Sequence, residues 1–437
     1  CLCVLGEREE CFMSSLQQDM GSGSSKPCSG KPETEEQGEP LIDIWVIGVG
    51  SRVCCLLECL MEFATNVRLC GMYDDSEDAL QQYTTWDKPS FFLPNLADRV
   101  HRDKTEIFHA GELETMLSRV KNPTKSWVLV GSMNSLHCEH VVAAFRTSCN
   151  VFCEKPLCIS LEQAKEMLEA QRNAGTLFAT GFVLRYAPLY LQIHDILERH
   201  SNFGKLISVE ANELLGPGHG GYIMRNWRRF REFAGPHILE KCCHDIDLLN
   251  WLIDSLPTKV SAFGGNMIFT PENAPYGEQA KKTCGYPDLY TDWLQAWENV
   301  DPFEVKKDIE DTMVCILEYR NGVKATFHTN ACSPFQRRRM CLYGLTGAVE
   351  ADLCEGSLRV ARLGETPWAE PARRTDGHGG GDINIMKDLY KSMVTGCTPK
   401  ATGLEGLKSA IVCLALDEAR ISGAVVDLEP YWAEFSL

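Results

Sequence analysis

Apolar and polar positions fall into two textures along the chain. Between Leu41 and Tyr186, short apolar runs alternate with segments whose apolar residues recur every three or four positions. The runs are "LIDIWVIGVG", "VRLCGMYDD", "SWVLVGS", "NVFCEKP" and "TLFATGFVLRY". A continuous apolar run of strand length is the mark of a strand covered on both faces, as in a parallel sheet. The intervening "SRVCCLLECLMEF", His137–Arg146 and Leu161–Asn173 carry helical spacing. Strands alternating with helices predict a doubly wound parallel sheet over residues 41–185.

From about Pro188 the texture changes. "KLISVEANELL", "KVSAFGGNMIF", "DTMVCILEYRNGVKATFHTN", "RRMCLYGLTGAVEADL" and "SLRVARL" are strand-like runs separated by turn signals, and "YRNGVKA" carries an Asn-Gly hairpin. Two helices close the chain, the second ending before Gly423. Residues 186–437 are therefore expected to form an α+β domain on a large, mostly antiparallel open sheet. Residues 1–40 are dominated by Ser, Gly, Glu, Lys and Pro and are expected to be a disordered tail, because they bury too little apolar surface to offset ordering entropy. The fold class is thus α/β, an N-terminal doubly wound domain followed by an α+β domain.

The formal charge of −17 disfavours a nucleic-acid partner, since an acidic chain repels the phosphate backbone. No apolar run approaches the roughly 20 residues a membrane helix needs, so no membrane partner is expected. The 21 cysteines are odd in number and scattered, without paired CxxC spacing for zinc. They are read as reduced, small packing residues of a cytoplasmic protein, and no metal is expected.

Chemistry enters with "VIGVGSRV", where Gly48 and Gly50 stand at a strand-to-helix turn. Glycines there let backbone N–H groups approach a pyrophosphate at the helix N-terminus, with Ser51 and Arg52 opening that helix. The third fingerprint position is Val53, so the motif is incomplete. Asp74 ends the second strand, where a carboxylate accepts from ribose hydroxyls and repels a 2′-phosphate, which favours NAD over NADP. Ser132 and Asn134 are candidates for the cofactor ribose. His137 either lines the cofactor pocket or begins the next helix as a structural histidine.

Later motifs carry a resemblance. Ser132, Asn134 and His137 form S-x-N-x-x-H, Glu154-Lys155-Pro156 follows a strand, and His244–Asp247 reads H-D-I-D. With "FVLRYAPLY", "YGLTGAVEADL" and "GHGGGD", the chain resembles the Gfo/Idh/MocA family of glucose–fructose oxidoreductases, inositol dehydrogenases and rhizopine-catabolism proteins. The resemblance implies a Rossmann NAD domain, with Lys155 and Pro156 beside the nicotinamide and Glu154 orienting the lysine. It implies His244 as general base, with Glu240 where inositol dehydrogenases carry an aspartate, and homo-oligomers such as dimers or tetramers. Oxidising a secondary alcohol needs hydride removal, a base for the proton and a cation near the oxygen, and these residue types supply the last two.

The stretch "LEKCCHDIDLLNW" (239–251) also invites a metal reading through Cys242, Cys243 and His244. Placed on a helix, successive residues diverge by about 100°, whereas Glu240, His244 and Asp247 share a face. The substrate class is a polyol or sugar, and the candidate binding residues are Arg185, Tyr186, Trp227 and Asp247, with Tyr222, Asn226 and Arg228 nearby. The arginines leave a sugar acid such as a uronate open. Two other functions compete: an NAD-dependent glycosidase and a non-catalytic sugar sensor.

Overall fold

A computed structural model of the chain describes residues 41–84, 94–199, 203–293, 298–371 and 378–437. The tail expected over residues 1–40, residues 294–297 of the insertion 271–308 (a long segment rich in Pro, Tyr, Trp and acids), and Gly377 of "GHGGGD" lie outside the described residues.

The N-terminal sheet has six strands: β1 (Ile42–Ile47), β2 (Val67–Tyr73), β3 (Glu106–Phe108), β4 (Ser126–Val130), β5 (Asn150–Cys153) and β6 (Phe178–Thr180), ordered β3-β2-β1-β4-β5-β6. Every pairing is parallel. β1, β4 and β5 are buried along their whole length, as their unbroken apolar runs require. The strand order reverses between β1 and β4, and ligands of such sheets sit outside the carboxyl ends of the strands at that switch.

The second sheet contains β7 (Leu206–Leu214), β8 (Pro257–Gly265), β9 (Thr312–Tyr319), β10 (Lys324–Asn330), β11 (Arg339–Gly344), β12 (Gly347–Asp352), β13 (Ser357–Arg362), β14 (Trp368–Pro371) and β15 (Val426–Asp427). Their order is β14-β13-β12-β11-β7-β10-β9-β8-β15, antiparallel except where β10 lies parallel to β7. Alternation sets the faces: Met313, Cys315, Leu317 and Tyr319 of β9 point into the core, while Val314 and Ile316 point out. The Asn-Gly hairpin joins β9 to β10, with Gly322 at φ +91°.

Helices Cys243–Ile253 and Gly403–Ser422 cover the inner face. The second also meets the nucleotide sheet, because Gly403 and Gly406 leave room where a Cβ would strike Phe178 and Leu157. It ends at Gly423, in the left-handed region at φ +68°. Tyr290 and Phe303 of the insertion pack with Phe269 against Leu215, Ile223 and Met224 in a second, smaller core.

Candidate active site

Gly48 leaves β1 at φ +82°, and a Cβ there would lie 2.3 Å from the Ser132 nitrogen. Helix α1 (Ser51–Met61) then starts behind Gly50, with no side-chain cap and no acid in its first turn. Its first N–H groups are free of a capping side chain, the arrangement an anion at a helix N-terminus requires. Val53 does not loosen the packing. Gly131, at the end of β4, leaves the space instead, since a Cβ there would sit 2.7 Å from the Val53 Cβ. The third small residue has moved from the helix to the neighbouring strand.

Asp74 holds the turn. Its Oδ2 accepts from the Val49 N–H at 2.7 Å and its Oδ1 from the Ser76 N–H at 2.8 Å, while burial raises its pKa. Arg52 reaches Glu154 at 3.3 Å and Asp382 at 2.7 Å, so its guanidinium is engaged by two carboxylates at the mouth of the turn.

The residues of S-x-N-x-x-H have partners within the protein. His137 contacts the Pro156 carbonyl from Nδ1 at 2.7 Å and the Ser132 carbonyl from Nε2 at 3.0 Å. That favours the structural reading of His137 and fixes the Lys155–Pro156 loop. Burial pushes its pKa down to about 4. Ser132 Oγ lies 2.8 Å from His140 Nδ1, and Asn134 Nδ2 donates to the Ala234 carbonyl at 3.0 Å. Both side chains have protein partners where ribose contacts were expected.

The expected continuous helix through Glu240 and His244 is interrupted. Glu240 ends a short helix (His237–Glu240), and His244 lies in the first turn of another (Cys243–Ile253). In an unbroken helix the Glu240 carbonyl would accept from the His244 N–H. Here it accepts from Lys155 Nζ at 2.7 Å. The Glu240 carboxylate does not meet His244; it accepts from Arg228 Nε at 2.8 Å. Burial alone would raise the Glu240 pKa, but Lys155, Arg228 and Lys241 overcome it and hold it at about 2. His244 is 5% exposed, its Nδ1 has no hydrogen-bond partner, and burial together with Lys155 and Arg338 holds it well below the usual imidazole range. Cys242 and Cys243 are buried at 0% and 1% exposure. Among the described residues, no group of three or more His, Cys, Asp or Glu could hold a metal ion.

The expected substrate residues divide. Arg185 and Asp247 form a bidentate buried pair at 2.7 and 2.6 Å, and Arg185 also reaches Glu405 at 2.9 Å. Tyr186 donates to Asp388 at 2.9 Å and accepts from the Ala401 N–H at 3.0 Å. These bonds tie Arg185 and Tyr186 to the helices Cys243–Ile253, Gly381–Thr395 and Gly403–Ser422. Trp227 lies under the Arg228 guanidinium at 4.2 Å, and Arg228 also donates to Tyr222 and Asn226 at 3.0 Å each.

Other groups at the site escape motif reading. His219 stacks on Trp293 at 4.7 Å, and burial with Lys241 and Lys155 pushes its pKa well down. Lys241 contacts Glu213 at 3.3 Å, and Arg338 bonds Glu213 and Asp245. His378 lies 3.1 Å from Asp382, with its ring 6.4 Å from that of His244. Only the "GHGG" and "D-I-D" patterns hint at them in the sequence.

Comparison with known proteins decides the lineage. Residues 42–182 match the model described as "Oxidoreductase family, NAD-binding Rossmann fold", and residues 199–428 match "Oxidoreductase family, C-terminal alpha/beta domain". The chain belongs to the Gfo/Idh/MocA oxidoreductase family. Among its relatives, 1,5-anhydro-D-fructose reductase of Ensifer adhaerens is 25% identical over 71% of this chain and 82% of its own length. The 2,7-anhydro-N-acetylneuraminate hydratase of Escherichia coli is 23% identical over 53% of this chain and 54% of its own. The solved structure of levoglucosan dehydrogenase with NADH and levoglucosan shares the fold, with a TM-score of 0.69 at 16% identity, covering 89% of this chain and 99% of that one. Among the described residues, no helix is long and apolar enough to cross a membrane.

Proposed function

We propose that this family member is an NAD-dependent dehydrogenase that moves hydride between the nicotinamide and a secondary alcohol of a sugar or polyol. The observation that carries the reading is the junction of Lys155 with the interrupted helix: an ammonium bonded at 2.7 Å to the Glu240 carbonyl, with a buried neutral His244 one turn on.

Gly48, Gly50, Ser51 and Arg52 would hold the pyrophosphate at the N-terminus of α1, and Asp74 would meet the adenosine ribose, favouring NAD over NADP. The bound nicotinamide supplies the hydride acceptor. Lys155 stabilises the developing alkoxide. His244 accepts the hydroxyl proton; a neutral imidazole does this near pH 7, and the absent Nδ1 partner leaves its tautomer to be set by the bound substrate. Glu154 and Asp382 hold Arg52 beside this loop. The working division is a nucleotide domain over residues 41–185 and a substrate domain over 186–437, with dimers or tetramers as the assembly.

A second reading, in which the bound cofactor is reduced and reoxidised within one turnover, is kept because hydration, the reaction in one relative's name, involves no net redox change. A screen of sugars, polyols and sugar acids with NAD and with NADP tests both. Steady accumulation of NADH supports the dehydrogenase. Product formation without net NADH supports the second reading, and a preference for NADP overturns the role given to Asp74.

A further inference from the structure

Lys241 has no part in the hydride and proton chemistry, yet its ammonium stands in the same site. It follows Glu240 at the helix interruption, its side chain is 14% exposed, and its one ionic contact among the described residues is Glu213 at 3.3 Å. That is longer than the roughly 2.7–2.9 Å of a strong charge-assisted bond. Glu213 is shared, since its other oxygen lies 2.8 Å from Arg338 Nε, which Asp245 also holds.

The charge is uneven across the site. On the substrate side Lys155, Lys241, Arg228 and Arg338 face three carboxylates, Glu213, Glu240 and Asp245. On the cofactor side the single cation Arg52 faces two, Glu154 and Asp382. The cations therefore gather on the side where a substrate would bind, with Asp292 at the Gly218 wall as a further carboxylate there. Burial, together with Lys155 and Lys241, holds His219 and His244 well below the usual imidazole range.

The wall beside Lys241 is built by close packing. A Cβ at Gly218 would lie 2.1 Å from Asp292 Oδ1, and one at Gly221 would lie 2.0 Å from the Tyr290 carbonyl. These glycines seat the helix Pro217–Met224 directly on the insertion and bring His219 flat against Trp293, with 17° between the rings. An aromatic face beside an ammonium suits a sugar ring bearing an anion.

We propose that Lys241, flanked by the His219–Trp293 stack, anchors a carboxylate of the substrate, so that the preferred substrates are sugar acids. A single ammonium with one long, shared ionic contact matches a monoanionic carboxylate better than a phosphate dianion. The proposal rests on the dehydrogenase reading above, and the experiment separates the two.

Full-length chain with NAD is assayed on matched pairs, D-glucose with D-glucuronate and D-galactose with D-galacturonate, and on D-glucose 6-phosphate. The expected result is a kcat/KM at least tenfold higher for the uronate of a pair. Lys241→Gln should remove that preference through KM, by about tenfold, the scale of one charge-assisted hydrogen bond, and Lys241→Arg should restore part of it. A preference for the neutral sugar or the phosphate overturns the carboxylate anchor while leaving the dehydrogenase standing. So does a Lys241→Gln variant that keeps the uronate preference. No NADH from any substrate defeats the dehydrogenase reading instead. If Lys241→Gln fails to fold, the wild-type ratios across the pairs decide.

Discussion

Lys155 donates its ammonium to the main-chain carbonyl of Glu240 at 2.7 Å, while the Glu240 carboxylate turns away to Arg228 at 2.8 Å. The side chain expected to orient His244 instead neutralises an arginine, and its backbone receives the lysine. Lys155→Ala and His244→Ala should each lower kcat by about a thousandfold or more, the combined scale of electrostatic and proton-transfer catalysis. NADH affinity, read by fluorescence titration, should change by only a few fold. Glu240→Gln should cost much less turnover than His244→Ala, because no carboxylate–imidazole bond is lost. Equal losses in the two variants would require a Glu240–His244 contact that this arrangement lacks.

How much of this was legible in the sequence depends on whether local pattern or distant partners decided the outcome. The helix His137–Arg146, the Asn-Gly hairpin and the stop at Gly423 follow from periodicity and turn chemistry, and all three stand as expected. The break between Glu240 and His244 does not follow from them. Apolar spacing runs through "ILEKCCHDIDLL", and at the break the Glu240 carbonyl accepts from Lys155, 85 residues earlier. The pairing of Arg185 with Asp247 was illegible for a related reason. A charged residue near a predicted site reads as a ligand contact until its partner 62 residues away is known.

The Arg185–Asp247 pair makes a stability prediction. Both side chains are nearly fully buried, at 8% and 2% exposure. Removing one member of such a pair leaves an undercompensated buried charge, a loss of about 3 kcal/mol. Asp247→Ala should therefore lower the urea midpoint sharply, and the fraction that folds should keep its substrate KM. A raised KM with unchanged stability would return Asp247 to the substrate site.

Stability should also fall with acid in a defined window. Burial holds His137 and His237 neutral, with pKa values down at about 4 from the usual 6.5. The unfolded chain therefore takes up these protons first as pH drops. The stabilisation is complete above pH 6.5 and is lost towards pH 4, at about 1.4 kcal/mol per pH unit for each histidine. Glu240, held at about 2, adds its loss only below pH 4.5. Urea unfolding at intervals from pH 7.5 to 4.5 measures the slope, and His237→Gln should reduce it by one histidine's share. A flat profile would mean that these rings are already protonated in the fold.

The displaced glycine of the nucleotide turn offers the sharpest check on how this domain packs. Val53 fits against β4 because Gly131 has no Cβ, and an added one would come within 2.7 Å of the Val53 Cβ and 3.1 Å of its Cγ1. Gly131→Ala should cost about 1–3 kcal/mol by overpacking. Val53→Gly alone should cost a similar amount, through the lost side chain and the glycine's backbone freedom in a helix. Together they restore the usual placement, with the small residue on the helix and the methyl on the strand. The double variant should then be at least about 1 kcal/mol more stable than the two single effects summed, as expected for residues in direct contact. Val53→Ala should give no such rescue, because the clash is with the Cβ itself. Strict additivity in the Val53→Gly/Gly131→Ala cycle would mean that the two positions do not compete for one space.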